Sequence, residues 1–232
     1  MSTAPTWFEY PDEARWAAGA ADACVEALRR DLATGGARLL LSGGSTPSPV
    51  YRALACVGLE WSRVTLALVD ERWLPPGDPD SNATLVRNTL IQGRAAAATL
   101  EPLLMPDGNL DDAVRHANRC MRPATAALLG MGPDGHTASL FPHARGLADA
   151  LASRDDYVSV DAADCAGAGR WPLRISLTPA GLAKAARRIL LVRGRAKREL
   201  LEQAQAGDDI EALPVRALFA LPGEPLQIHW AP

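Results

Sequence analysis

Short apolar runs that end abruptly in glycine, hydroxyl or charged residues recur along this chain, and stretches of helical periodicity separate them. That alternation is the signature of βαβ units wound around a parallel sheet. Residues 12–32 read as a first long helix, with Pro11 before it and Gly35 and Gly36 after it. A buried strand is expected over 37–41, then a polar glycine turn and a helix to about 56. The next strand, 64–69, runs into Asp70, Glu71 and Arg72. Ser81 and Asn82 can cap a helix to about 91. A helix over 110–121 leads to a strand over 125–129 and the loop Gly130 to His136. Strands over 157–160 and 173–177 flank an Ala/Gly-rich loop, 162–169. A strand over 188–192, a turn at Gly194, a helix over 196–205 and a strand over 226–230 complete the chain.

With 232 residues, 48% of them hydrophobic, one large core can be buried, and a single domain over 1–232 is expected. A net charge of -3 gives no general basic field, so neither nucleic acid nor a membrane surface is expected as partner. A small molecule is. No apolar run approaches the roughly 18 residues of a membrane span, and residues 1–10 lack the basic and apolar regions of a leader, so a cytoplasmic location is expected. Cys24, Cys56, Cys120 and Cys165 form no CxxC pair; they are read as reduced thiols, mostly packing, with no metal site. Only two of the 24 basic residues are lysines, Lys184 and Lys197.

Four strands each end in a polar set: Ser42 to Thr46, Asp70 to Arg72, Asp134 to His136, and Gly194 to Lys197. In an open parallel sheet these ends share one edge, where ligands bind. Gly43, Gly44, Ser45 and Thr46 let the backbone approach a ligand and then open a helix, which makes a phosphate cradle; an ordinary tight turn would read the same way. No Gly-Lys-Ser/Thr follows, so it is not a Walker A loop. Lys197, one turn into its own helix, is the natural cation to complete an anion site. At 70–72, strand alternation puts Asp70 and Arg72 on one face and Glu71 on the other; taken alone, a structural ion pair is the simpler reading.

Gly130, Gly132 and Gly135 satisfy GxGxxG, and Asp155 lies 20 residues beyond the last glycine. Pro133 removes a backbone donor and Pro142 cuts short the helix a pyrophosphate needs, so the dinucleotide reading is set aside. The alternative is a catalytic loop, in which Asp134 orients His136 and a helix start at His136 keeps the imidazole neutral as a base. His116 is expected on a helix surface, His143 in solvent, and His229 in a strand.

These segments together resemble a family. LSGGSTPSPVYRAL (41–54), VDERWLPPGDPDSN (69–82), LLGMGPDGHTASLFP (128–142), RISLTPAGL (174–182) and LLVRGRAKRELL (190–201) are similar to the 6-phosphogluconolactonases of the glucosamine-6-phosphate isomerase/deaminase superfamily. The resemblance runs nearly end to end. It implies a Rossmann-like three-layer α/β sandwich of the NagB/RpiA type with a mainly parallel sheet. It implies hydrolysis of 6-phospho-D-glucono-1,5-lactone in the pentose phosphate pathway, without metal or organic cofactor. It makes His136 the base that activates water, with Asp134 beside it. Asp70 and Arg72 fall in the pocket, Gly43 to Thr46 around the sugar phosphate, and Arg174 and Lys197 as phosphate cations. A monomer or small homo-oligomer is expected.

Two positions depart from the family pattern: Thr125, where an Asp is frequent, and Ala83, where an aromatic is frequent and whose loss is expected to loosen the pocket wall. The sister activity, glucosamine 6-phosphate deamination, uses an acid five positions after the loop histidine; here that position is Phe141. A non-catalytic sugar-phosphate sensor would normally carry a further domain, for which this chain has no length to spare. Trp73 reads as a packed aromatic rather than a lid.

Overall fold

The computed structural model describes residues 4–104 and 108–232. Met1 to Thr3, part of the segment weighed above as a leader, lie outside them. Among the described residues there are ten strands: β1 (Thr6–Glu9), β2 (Ala37–Leu41), β3 (Val64–Leu68), β4 (Asp70–Arg72), β5 (Thr99–Leu100), β6 (Ala124–Gly130), β7 (Tyr157–Asp161), β8 (Leu173–Leu177), β9 (Ala185–Arg193) and β10 (Gln227–Ala231). The helices are α1 (Glu13–Leu32), α2 (Ser48–Ala55), α3 (Asn82–Thr89), α4 (Leu110–Cys120), α5 (Leu147–Ala152), α6 (Pro179–Leu182) and α7 (Arg195–Ala206).

Seven strands form one sheet in the order β1-β10-β9-β6-β2-β3-β5, and every neighbouring pair is parallel. From β2 the chain adds β3 and β5 on one side, then β6, β9 and β10 on the other. The direction of winding therefore reverses between β2 and β6, and the crevice at that reversal is where such sheets bind ligands. β2 is buried at every position, as expected of a parallel strand covered on both faces. Even Arg38 lies inside; it donates to the Arg122 carbonyl at 2.7 Å and pairs with Glu101 at 2.5 Å.

Helix α1 starts where Asp12 accepts from the Arg15 N–H at 2.8 Å. Trp16, Ala20, Cys24 and Leu28 recur every fourth position and are fully buried, so one face of α1 packs on β6, β9 and β10. Of the other thiols Cys56 is exposed and Cys120 and Cys165 are half-buried, so the packing role expected for the cysteines holds for Cys24. Trp73 packs against the core. Thr125 donates to Asp31 of α1, which puts a carboxylate beside this departure from the family pattern.

β4, β8 and β7 form a separate antiparallel sheet. The main chain leaves β3 at Val69, whose carbonyl accepts from Leu177 at 2.8 Å, and enters this second sheet at Asp70. Asp70 to Arg72 is thus both the end of a parallel strand and an element of its own.

Candidate active site

The four polar strand ends meet on one side of the main sheet, because β9, β6, β2 and β3 are adjacent in it. They line a cavity of about 500 Å³. Gly43, Gly44, Ser45, Thr46, Asp70, Arg72, His136, Arg174 and Lys197 all face it, and Asp134 lies directly behind His136.

His136 and Asp134 form the centre. The His136 Nδ1 lies 2.6 Å from Asp134 Oδ1, and the His136 backbone N–H donates to the same oxygen at 3.3 Å. A carboxylate only accepts, so Nδ1 carries a proton, and in the neutral ring this tautomer puts the lone pair on Nε2. Burial pushes the Asp134 carboxyl up, but the hydrogen bond and charge of His136, with backbone N–H groups, bring it net below its ordinary value. No helix starts at His136, contrary to the sequence expectation. Gly135 and Ala138 take φ of +82° and +52°, and Thr137 bridges back to Leu140, so the chain makes a tight turn in place of a helix. The Asp134 carboxylate, not a helix terminus, is what orients this imidazole. His143 is exposed, His116 half-buried on α4, and His229 buried in β10.

The loop is fixed from several sides. Gly132 donates to the His136 carbonyl at 2.9 Å, and Val215 donates to the Gly135 carbonyl at 3.0 Å. Lys197, in the first turn of α7, donates from Nζ to the Met131 carbonyl at 2.6 Å. Burial lowers the pKa of this amine, while the Asp134 charge opposes the shift.

After β2 the loop turns at Gly44, with φ of +88°. The Tyr51 hydroxyl donates to the Ser42 carbonyl at 2.6 Å and ties the loop to α2. Among the described residues, the N–H groups of Gly44, Ser45 and Thr46 meet no backbone acceptor and are open to solvent or a ligand. Gly43 abuts the Asn82 side chain so closely that a Cβ would collide with it.

Asp70 and Arg72 both face the cavity and Glu71 does not, as alternation requires. The ion pair expected between them is replaced by other partners. Asp70 accepts from the Ser139 hydroxyl at 2.6 Å, while Arg72 donates to the Asp80 carbonyl. Glu71, 1% exposed, accepts from the N–H groups of Arg72, Asn82 and Ala83 at 2.8, 2.7 and 2.8 Å and so holds the start of α3. Burial raises its pKa, and those three donors offset part of the rise. Ala83 lines a separate small cavity with Glu71 and Pro75, so its departure from the family pattern leaves the main cavity wall untouched.

Asn82, Asp80, Ser139 and the segment 166–171 were missed from sequence. The first three stand inside the quoted motifs; the segment carried no signal beyond its Ala/Gly content. Phe141, 1% exposed, tilts against His136 at a centroid distance of 4.3 Å. Among the described residues no group of three or more His, Cys, Asp or Glu is placed to hold a metal ion, and no helix is long and apolar enough to cross a membrane.

The family model described as glucosamine-6-phosphate isomerases/6-phosphogluconolactonase matches residues 11–230. A 6-phosphogluconolactonase of Xylella fastidiosa (strain 9a5c) is 45% identical over 229 residues, 97% of this chain and 95% of that one. Another, of Rhizobium meliloti (strain 1021), is 39% identical over 86% of this chain and 87% of its own length. The crystal structure of a 6-phosphogluconolactonase from Shewanella baltica OS155 superposes with a TM-score of 0.89 at 29% identity, covering 100% of both chains.

Proposed function

The chain belongs to the glucosamine-6-phosphate isomerase/6-phosphogluconolactonase family, and from that premise we propose that it hydrolyses 6-phospho-D-glucono-1,5-lactone to 6-phospho-D-gluconate, with His136 as general base. The observation that carries this reading is the Asp134–His136 pair in a cavity where Phe141, not an acid, packs against the imidazole. Hexosamine ring opening calls for a proton donor at that position; lactone hydrolysis does not.

A δ-lactone is an activated ester, so a positioned base, worth about 10²–10⁴, and an oxyanion donor, worth about 10²–10³, suffice without a covalent nucleophile. His136 Nε2 takes a proton from water as its oxygen bonds to C1. Arg72 stabilises the charge that develops on the carbonyl oxygen. As the C1–O5 bond breaks, the imidazolium returns the proton to the ring oxygen. Asp134 keeps Nδ1 protonated and balances the transient imidazolium charge. The sugar phosphate sits in the cradle of Gly43, Gly44, Ser45 and Thr46, with the Lys197 amine beside it. The reaction needs neither metal nor organic cofactor, and the enzyme acts in the cytoplasm, in the oxidative pentose phosphate pathway, as a monomer or small homo-oligomer.

The test is loss of freshly made 6-phosphogluconolactone in the presence of purified protein. Acceleration above spontaneous hydrolysis is expected; none at micromolar enzyme, with 6-phosphogluconate still bound, would identify a sensor instead.

A further inference from the structure

Segment 166–171 lines the cavity and lies against the catalytic pair. A Cβ at Gly167 would collide with Asp134 Oδ2 and approach His136 Nδ1 to 3.3 Å, so the backbone at 167 occupies the space next to the dyad. Ala166, Gly167 and Gly169 are exposed on their outer side. Ala168 alone turns inward, into the small apolar cluster of Leu140 and Phe141, so the rest of the segment depends on polar ties.

Arg174 does the holding. It is 5% exposed, and its Nε donates to the Trp171 carbonyl at 2.6 Å while Nη2 donates to the Ala168 carbonyl at 2.7 Å. Nε and Nη2 form the side edge of the guanidinium, which elsewhere grips a carboxylate or phosphate with two parallel bonds. Here two backbone carbonyls fill it. The guanidinium carbon lies 5.6 Å from the Phe141 ring centre, the same ring that packs against His136. A second fastening acts at the outer end, where Asp80 accepts from Trp171 Nε1 at 2.8 Å and from Arg170 at 2.5 Å.

We propose that Arg174 is a positioning residue that fixes segment 166–171 over the Asp134–His136 pair, and not a cation for the substrate phosphate. The resemblance implied the phosphate role, and the occupied edge of the guanidinium argues against it. The proposal rests on the lactonase reading, because it assigns Arg174 its part in that reaction.

Charge and shape separate the two roles. Arg174→Lys keeps the positive charge but cannot reach two carbonyls with a planar fork. A phosphate cation would be largely rescued by lysine, whereas a fork that spans two carbonyls would not. Both Arg174→Lys and Arg174→Ala are expected to lower kcat by about 10- to 100-fold, the scale of a roughly 1 Å misplacement of reacting groups. Calorimetric Kd for 6-phosphogluconate should stay within about threefold of the parent, because the phosphate contacts are retained. Gly167→Ala should give the same signature, and adding it to Arg174→Lys should cost little more, since both act through the seating of one segment. Recovery of kcat by lysine, or a tenfold loss of 6-phosphogluconate affinity in either Arg174 variant, would overturn the assignment. An inactive parent enzyme would instead remove the lactonase reading itself.

Discussion

The backbone at Gly132 lies against the Nδ1 and Cε1 atoms of His136, so close that a Cβ on residue 132 would collide with both. With Gly167 on the other partner of the pair, the dyad sits between two stretches of bare backbone. The glycines of this loop are therefore spaced for an imidazole, not for a pyrophosphate. Gly132→Ala is expected to displace the ring and lower kcat about 10²-fold. Melting temperature should change little, because the collision is with a half-buried side chain that can move aside. Parental turnover in Gly132→Ala would show that the ring has room to move without loss.

Removal of the base tests the chemistry directly. His136→Ala should lose about 10²–10⁴ in kcat, the usual worth of a positioned base. It should still bind 6-phosphogluconate, since the glycine cradle and Lys197 are untouched. Near-normal turnover would place the base elsewhere.

Much of this site was legible in the sequence because parallel strands expose their carboxyl ends on one edge. Reading 42–46, 70–72, 134–136 and 194–197 as strand ends was enough to predict their convergence, and the sheet order bears that out. Three things were hidden, each for a physical reason. β1 and β5 are edge strands of 4 and 2 residues that exist through pairing rather than pattern. The helix expected at His136 fails because Ala138 and Gly135 take left-handed conformations, which depend on the packing around them. Segment 166–171 has no periodicity at all; its place over the dyad follows from side-chain bonds to Arg174, just beyond it in the chain, and to Asp80, some ninety residues earlier, and neither bond leaves a pattern in the sequence.

Lys197 carries the prediction for the phosphate. Its amine donates to Met131 and keeps further donors for a ligand in the same cavity. A hydrogen bond to a charged group is worth about 1.5–3 kcal/mol, so Lys197→Ala should raise KM for the phosphorylated lactone by about 10- to 100-fold. Turnover of unphosphorylated gluconolactone should fall far less. Equal losses on both substrates would remove Lys197 from the phosphate subsite and leave it as a brace for the Met131 carbonyl.

His229, far from the chemistry, sets a pH limit on stability. It is 1% exposed in β10, stacks on Phe8 at 4.7 Å, and its Nδ1 lies 3.0 Å from the Tyr10 hydroxyl. Burial lowers its pKa from 6.5 to about 4. The unfolded chain therefore binds a proton near pH 6.5 that the folded protein refuses until about pH 4. Because the folded value is the lower one, this contribution to stability is complete above pH 6.5, declines as the pH falls toward 4, and is constant below that. Its size is on the order of 3 kcal/mol. His229→Phe keeps a stacking ring and removes the titration. Between pH 6.5 and 4 the variant should lose less stability than the parent by about that amount, read from denaturant unfolding curves at each pH. Parallel losses in the two proteins would mean that His229 takes its proton in the folded state as readily as in the unfolded one.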